Sequence, residues 1–71
     1  MANLYIMEIY ELVVKVDYYE VRRPGVRRTL RFGTILGAFA YAQLAMTEER
    51  GEMLVHGNGI EEHVPLYRMT V

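Results

Sequence analysis

Cysteine is absent from this sequence of 71 residues, which contains only two prolines. Without cysteine the chain has neither a disulfide framework nor a thiolate zinc site, which are the usual supports of small secreted domains. We therefore expect a chain that folds in a reducing compartment, the cytoplasm, and depends on its hydrophobic core for stability.

No stretch of the sequence has the length or composition of a membrane-directed segment. The longest weakly polar stretch, Ile35 to Met46, is shorter than the roughly 20 residues that a spanning helix needs. Met1 to Leu4 lacks the basic segment, apolar run and small-residue cleavage site of a signal peptide. We expect neither export nor contact with a membrane.

The balance of residue types indicates one folded domain over residues 1–71. Hydrophobic residues make up 52% of the chain, charged residues 24%, and the net charge is -1. These values are typical of a folded globule and argue against a disordered tail. A chain this short buries only about 60% of the surface that its unfolded form exposes, so it forms a single core.

The clearest local pattern lies between Tyr10 and Tyr18, where apolar and polar residues alternate. A period of two predicts one strand with one solvent-exposed face. The preceding apolar stretch, Leu4 to Ile9, has the opposite parity. One strand through both segments would therefore need a bulge or bend near Glu8.

A turn at residues 23–25, Arg-Pro-Gly, predicts a hairpin. A two-residue loop would place an arginine opposite Tyr18 on the core face. A three-residue loop, with its glycine in the left-handed conformation, instead pairs Tyr18 with Leu30 and Val16 with Phe32. We favour the second register because both faces of the hairpin then carry suitable residues.

A helix is predicted over residues 35–50, between an N-cap at Thr34 and a C-cap at Gly51. A third strand follows at residues 52–56, then a tight turn at residues 57–59. The last strand runs from residue 60 toward residue 71 and contains Pro65, so it is either an edge strand or is broken at that residue. The fold class is therefore α+β: a four-stranded antiparallel sheet with one helix packed on it, in the order ββαββ.

Five arginines and no acidic residue lie within residues 22–31. Three interpretations remain open: a solvated turn, a contact with an acidic protein partner, or binding of phosphates with Tyr18 and Tyr19 stacking on bases. The candidate partner-binding residues of this basic hairpin are Arg22, Arg23, Arg27, Arg28 and Arg31.

The predicted helix is apolar on both sides. Its inner stripe consists of Ile35, Ala38, Phe39, Ala42, Ala45 and Met46. A domain with one helix and one sheet has nothing left to cover the other side. We expect a partner or a second copy of the chain, forming a homodimer, to contact the outer residues Leu36, Ala40, Tyr41 and Leu44.

Two histidines and two glutamates cluster in the C-terminal part of the sequence: His56, Glu61, Glu62 and His63. Imidazole and carboxylate groups can bind a metal or transfer protons. No metal-binding helix, phosphate loop or nucleophile motif accompanies them, so we interpret them as surface residues. We predict no catalytic residue, no metal and no cofactor, and the chain is not expected to be an enzyme.

The layout resembles that of small phage-encoded inhibitor proteins, particularly anti-CRISPR proteins. The resemblance covers the hairpin from Tyr10 to Phe32, the alanine-rich helix from Ile35 to Arg50 and the C-terminal hairpin from Glu52 to Met69. It implies a stoichiometric protein binder that acts in the host cytoplasm on a nucleoprotein defence complex. The arginine-rich hairpin departs from what a binder of a basic channel requires.

The leading functional hypothesis is therefore a non-enzymatic protein-binding module, an inhibitor that acts through the basic hairpin or the outer helix face. The alternative is a small nucleic-acid-binding accessory protein that uses the five arginines. A third interpretation is a self-assembling protein whose functional unit is the dimer.

Overall fold

A computed structural model describes residues 7–70, which form five strands and one helix. The elements are β1 (Glu8–Val14), β2 (Tyr19–Arg22), β3 (Thr29–Phe32), α1 (Ile35–Ala45), β4 (Arg50–Gly57) and β5 (Ile60–Tyr67). The predicted α+β class is confirmed. The predicted order ββαββ is wrong, because the described chain has the order βββαββ. Residues 1–6, where the apolar stretch begins, and residue 71 lie outside the described part.

The sheet is mixed, not antiparallel as predicted. Its strand order is β3-β2-β1-β4-β5, with β1 and β4 parallel and every other pair antiparallel. The first three strands form a meander, so β3 runs in the same direction as β1. The helix then returns the chain to the opposite end of the sheet, and β4 enters beside β1 in the same direction.

The predicted strand from Tyr10 to Tyr18 is two strands separated by a turn. Tyr10 and Leu12 are fully buried, whereas Val16 is 99% exposed. The backbone N–H of Lys15 donates to the carbonyl oxygen of Tyr18 at 3.0 Å and reverses the chain. The alternation misled the prediction because an apolar valine occupies the turn and continues the pattern through it.

The extra turn changes the register of the following hairpin. Tyr19, not Val16, lies opposite Phe32, and Val21, not Tyr18, lies opposite Leu30. The register that the sequence favoured is therefore wrong. Since β2 begins at Tyr19, none of the residues before it is available for pairing with β3.

The connection between β2 and β3 is longer than a three-residue loop. It spans residues 23–28, hereafter the arginine loop. The backbone N–H of Val26 donates to the carbonyl oxygen of Arg23 at 3.1 Å, and Gly25 has φ 73°. The turn and its left-handed glycine are thus confirmed, but they form only the first part of the loop.

The helix begins as predicted and ends five residues earlier. The Thr34 hydroxyl accepts a hydrogen bond from the backbone N–H of Gly37 at 3.0 Å, which confirms the N-cap. The C-cap is Met46, not Gly51, which lies buried within β4. The helix stops because the next two backbone N–H groups, of Thr47 and Glu48, donate to the Glu8 carboxylate.

The C-terminal hairpin agrees with its prediction. Asn58 and Gly59 have φ 52° and φ 78°, the positive values that a two-residue hairpin turn requires. Pro65 lies on β5, an edge strand, where its missing N–H group is tolerated.

The helix covers one face of the sheet, and the core lies between them. The buried residues are Tyr10, Leu12, Val21, Ala38, Ala42, Met46, Met53, Val55 and Leu66. Because side chains alternate along each strand, the intervening residues lie on the opposite face, hereafter the open face. Within residues 7–70, no helix packs on the open face. β1 contributes Ile9, Glu11 and Val13 to it.

Candidate functional site

The structure divides the five predicted arginines into two groups. Arg22 and Arg31 are on strands and are already paired. Arg22 Nη1 lies 3.1 Å from Glu11 Oε1, and Arg31 Nε lies 3.9 Å from Glu20 Oε2. The Arg31 guanidinium also lies over the Tyr18 ring, 4.4 Å from its centroid. These two arginines therefore already have acidic neighbours on the sheet surface, so their charges are partly offset.

Arg23, Arg27 and Arg28 all belong to the arginine loop and form no salt bridge with any residue in the range 7–70. The loop itself contains no acidic residue. Interaction with the Tyr41 hydroxyl raises the pKa of Arg23. All three side chains are exposed, and Arg23 lies near Tyr41, with which it lines a cavity on the helix side of the sheet.

The arginine loop forms one wall of an open groove on the open face. The floor of this arginine groove consists of Ile9 and Glu11 from β1 and Leu54 from β4, and the wall consists of residues 22–27. The groove has a volume of about 580 Å³. It brings together apolar strand residues and the guanidinium groups of the loop, which are far apart in sequence.

Glu11, on the floor of the groove, has both of its oxygens occupied. Arg22 Nη1 donates to Oε1 at 3.1 Å, and His56 Nε2 lies 2.7 Å from Oε2. The negative charge of Glu11 is therefore offset by the neighbouring Arg22. An anion entering the groove meets the remaining arginines without an exposed carboxylate to repel it.

A second, smaller cavity of about 340 Å³ lies on the helix side of the same loop. Arg28 lines it together with Val21, Leu30 and Tyr41. Arg23 lines both cavities. Arg27 and Arg28 are thus adjacent in sequence but line different surfaces.

The histidines have partners other than those that the sequence grouped with them. His56 lies beside Glu11, and His63 Nδ1 lies 2.8 Å from Glu52 Oε1. Within residues 7–70 there is no group of three potential metal ligands. The contact of His56 with Glu11 requires β4 to lie beside β1, and the contact of His63 with Glu52 requires β5 to lie beside β4. All four side chains lie on the open face.

The outer helix face is only partly as predicted. Leu36 is 80% exposed and Leu44 is 49% exposed, with Ala40 half-buried between them. Tyr41 instead packs against the core, with its ring centroid 5.3 Å from that of Phe32. Tyr41 lies three residues after the buried Ala38, and residues at this spacing share one side of a helix.

The residue pattern did not predict the floor of the arginine groove. Two local signals pointed to the groove: Ile9, on its floor, has the parity opposite to the buried Tyr10, and Val26, on its wall, is an apolar residue within the arginine-rich segment. Neither signal was sufficient, because the groove requires Ile9 and Leu54 to lie on adjacent strands. That adjacency results from the parallel pairing of β1 with β4.

In the part of the chain that the structure describes, no helix is long and apolar enough to cross a membrane. Comparisons with protein-family models, curated proteins and solved structures give no match to this chain.

Proposed function

We propose that this chain is a non-enzymatic protein-binding module that acts by stoichiometric binding. The observation that carries the proposal is the arginine groove, where exposed apolar side chains lie beside arginines that have no acidic partner in residues 7–70. Protein interfaces combine an apolar centre with arginine in this way, and arginine is among the residues that contribute most binding energy.

The charges of the described chain are separated across the sheet. The arginine loop joins β2 to β3 at one edge, and the exposed Glu61 and Glu62 lie on β5 at the other edge. Such an arrangement favours a partner with a complementary charge distribution and orients the two molecules as they approach. An inhibitor of a host nucleoprotein defence complex, the role implied by the resemblance to anti-CRISPR proteins, is our proposal for the biological setting.

The outer helix face is a second candidate contact in this proposal. Leu36, Ala40 and Leu44 follow one another at intervals of four residues and form an apolar strip on α1. Either a partner or a second copy of the chain would cover it.

A nucleic-acid-binding role is the alternative function, and it is favoured by the three loop arginines, which form no salt bridge with the residues that the structure describes. Base stacking gives it little support. Tyr18 is covered by Arg31, and Tyr19 packs against the core. Binding to nucleic acid would therefore depend on phosphate contacts, and its affinity would fall steeply with salt concentration.

The test is an affinity capture with the tagged chain from a lysate of its native host, with and without nuclease, followed by mass spectrometry. The variants Arg27→Glu and Leu36→Asp are captured in parallel, since each changes one exposed side chain. A stoichiometric protein that survives nuclease and is lost with one variant supports the module and assigns its surface. Material that disappears with nuclease, and binding that falls steeply with salt, would establish the alternative.

Light scattering on the same three proteins tests self-association. A dimer in the wild type that is absent in Leu36→Asp and present in Arg27→Glu would assign the helix strip to the homodimer. A monomer at all concentrations would exclude the homodimer.

A further inference from the structure

We propose that the arginine groove binds an extended acidic segment of a protein partner, with an aliphatic side chain on the groove floor and a carboxylate at Arg27. The inference rests on the proposed protein-binding function and adds the site and the chemistry of the bound segment. The occupant of this surface is a peptide and not a nucleic acid.

The charge of the groove selects an anion. Arg27 forms no salt bridge with any residue in the range 7–70, and Arg23 lines the groove beside it. Glu11, the one carboxylate of the floor, is held by Arg22 and His56. The guanidinium of arginine presents a planar fork of donors that matches a carboxylate, so an aspartate or glutamate of a partner fits beside Arg27.

The floor selects an apolar side chain beside that carboxylate. Ile9 is 54% exposed on the open face, and the half-buried Leu54 lies on the adjacent strand. A volume of about 580 Å³ lies within the range of about 300–1,000 Å³ typical of ligand sites. Covering Ile9 and Leu54 removes apolar surface from water, which nucleic-acid phosphates cannot do.

The groove suits a peptide better than a single-stranded nucleic acid because its described lining lacks aromatic side chains. Within the described residues, the lining of the groove includes no Tyr or Phe. Proteins that bind single strands depend on aromatic rings on which the bases stack. The groove offers aliphatic contacts and guanidinium groups, and these suit an acidic segment that contains Leu, Ile or Val.

Arg27 and Arg28 provide a matched pair of variants for the test. Both are exposed loop arginines, and Arg27→Glu and Arg28→Glu change the net charge equally. Only Arg27 lines the arginine groove, whereas Arg28 lines the cavity on the helix side. A site-specific contact distinguishes the two variants, and a diffuse electrostatic attraction does not.

The experiment selects binders for the immobilised full chain from a display library of random dodecapeptides. Enriched peptides are then titrated by fluorescence anisotropy. We expect enrichment of Asp or Glu next to Leu, Ile or Val. Arg27→Glu should weaken binding roughly tenfold or more, since a hydrogen bond to a charged group contributes about 1.5–3 kcal/mol. Arg28→Glu should weaken it by roughly twofold, the effect of a surface charge outside the site.

Ile9→Thr tests the floor and keeps a β-branched residue on β1. It should also weaken the selected peptides, with no change in the salt dependence of binding. Three results would overturn the inference: enriched peptides without acidic residues, equal losses for Arg27→Glu and Arg28→Glu, or displacement of the peptide by an oligonucleotide with the same sensitivity to Arg27. A host protein that Arg27→Glu still captures and Leu36→Asp does not would show that the arginine groove is not the binding site. The proposed protein-binding function would still hold.

Discussion

Glu8 and Thr47 are joined across the fold by two hydrogen bonds. The Glu8 Oε1 atom accepts from the backbone N–H of Thr47 at 2.6 Å and from its hydroxyl at 3.1 Å. The backbone N–H of Glu48 donates to the same oxygen. Since Glu8 begins β1 and Thr47 follows α1, one carboxylate ties the end of the helix to the centre of the sheet.

Glu8→Ala should lower the free energy of unfolding by about 1–3 kcal/mol, because it leaves the part-buried N–H group of Glu48 and the exposed one of Thr47 without their acceptor. Glu8→Gln should have a smaller effect, since an amide oxygen still accepts but carries no charge. Urea unfolding followed by circular dichroism measures both values. Equal and negligible losses for the two variants would show that this carboxylate does not stabilise the connection.

The same carboxylate predicts a pH dependence. Burial alone would raise the pKa of Glu8, but the hydrogen bonds from Glu48, Thr47 and Tyr10 outweigh it and hold this pKa below its usual value of 4.5. A carboxyl group with a lower pKa in the folded state stabilises the fold above its unfolded pKa, and the contribution is lost as the pH falls through the folded value.

The stability advantage of the wild type over Glu8→Gln should therefore be constant above pH 4.5 and shrink below it. Urea unfolding of both proteins over a series of pH values gives the difference directly. A difference that grows as the pH falls would contradict the assigned direction.

Gly51 should tolerate no side chain. A Cβ atom at this position would lie 2.5 Å from the backbone oxygen of Glu8 and 2.9 Å from Met46 Cε. The backbone oxygen belongs to the paired strand β1 and cannot move freely, so Gly51→Ala should cost about 1–3 kcal/mol or more. Gly33→Ala is the control, since a Cβ atom there meets nothing within 4 Å. Thermal unfolding of both variants tests the prediction, which fails if their midpoints are equal.

Substitutions at Val16 and Val21 test the turn between β1 and β2, which the alternating sequence pattern did not predict. Val16 is 99% exposed and Val21 is 1% exposed. Val16→Ala should change stability by less than about 0.5 kcal/mol. Val21→Ala should cost about 2 kcal/mol, since it removes two buried methyl groups and leaves a small cavity. Similar losses for the two variants in urea unfolding would favour the single long strand.

Local signals in the sequence predicted the parts of the fold that depend on a few neighbouring residues. Thr34 caps the helix, Gly25 has a positive φ, and the Asn58-Gly59 turn closes the last hairpin. Each of these depends on the conformational preference of one or two residues and their nearest hydrogen bonds. Such preferences act over a few residues and can be read without knowing the rest of the chain.

The candidate site was predicted less completely. The sequence identified the arginine cluster and the apolar residues Leu36 and Leu44, but it placed Tyr41 on the outer face and missed Ile9 and Leu54. Tyr41 lies at the boundary of the helix stripe, where periodicity alone does not decide its side. The arginine groove also depends on where the loop meets the sheet, which no local pattern encodes.

The sequence by itself determined the α+β class, the position at which the helix begins and the two glycine-dependent turns, and it limited the strand that contains Pro65 to an edge position or a break. Only the tertiary structure decided that the first long alternating segment reverses at Val16, that β1 pairs in parallel with β4, and that the helix ends at the Glu8 carboxylate. The parallel pairing and the Glu8 contact join residues about forty positions apart. The reversal at Val16 is local, but the alternating pattern runs through it, and only the pairing of β2 with β1 distinguishes a turn from a continuous strand. The free energy of these pairings and contacts comes from the assembled sheet and core, to which no single segment contributes alone.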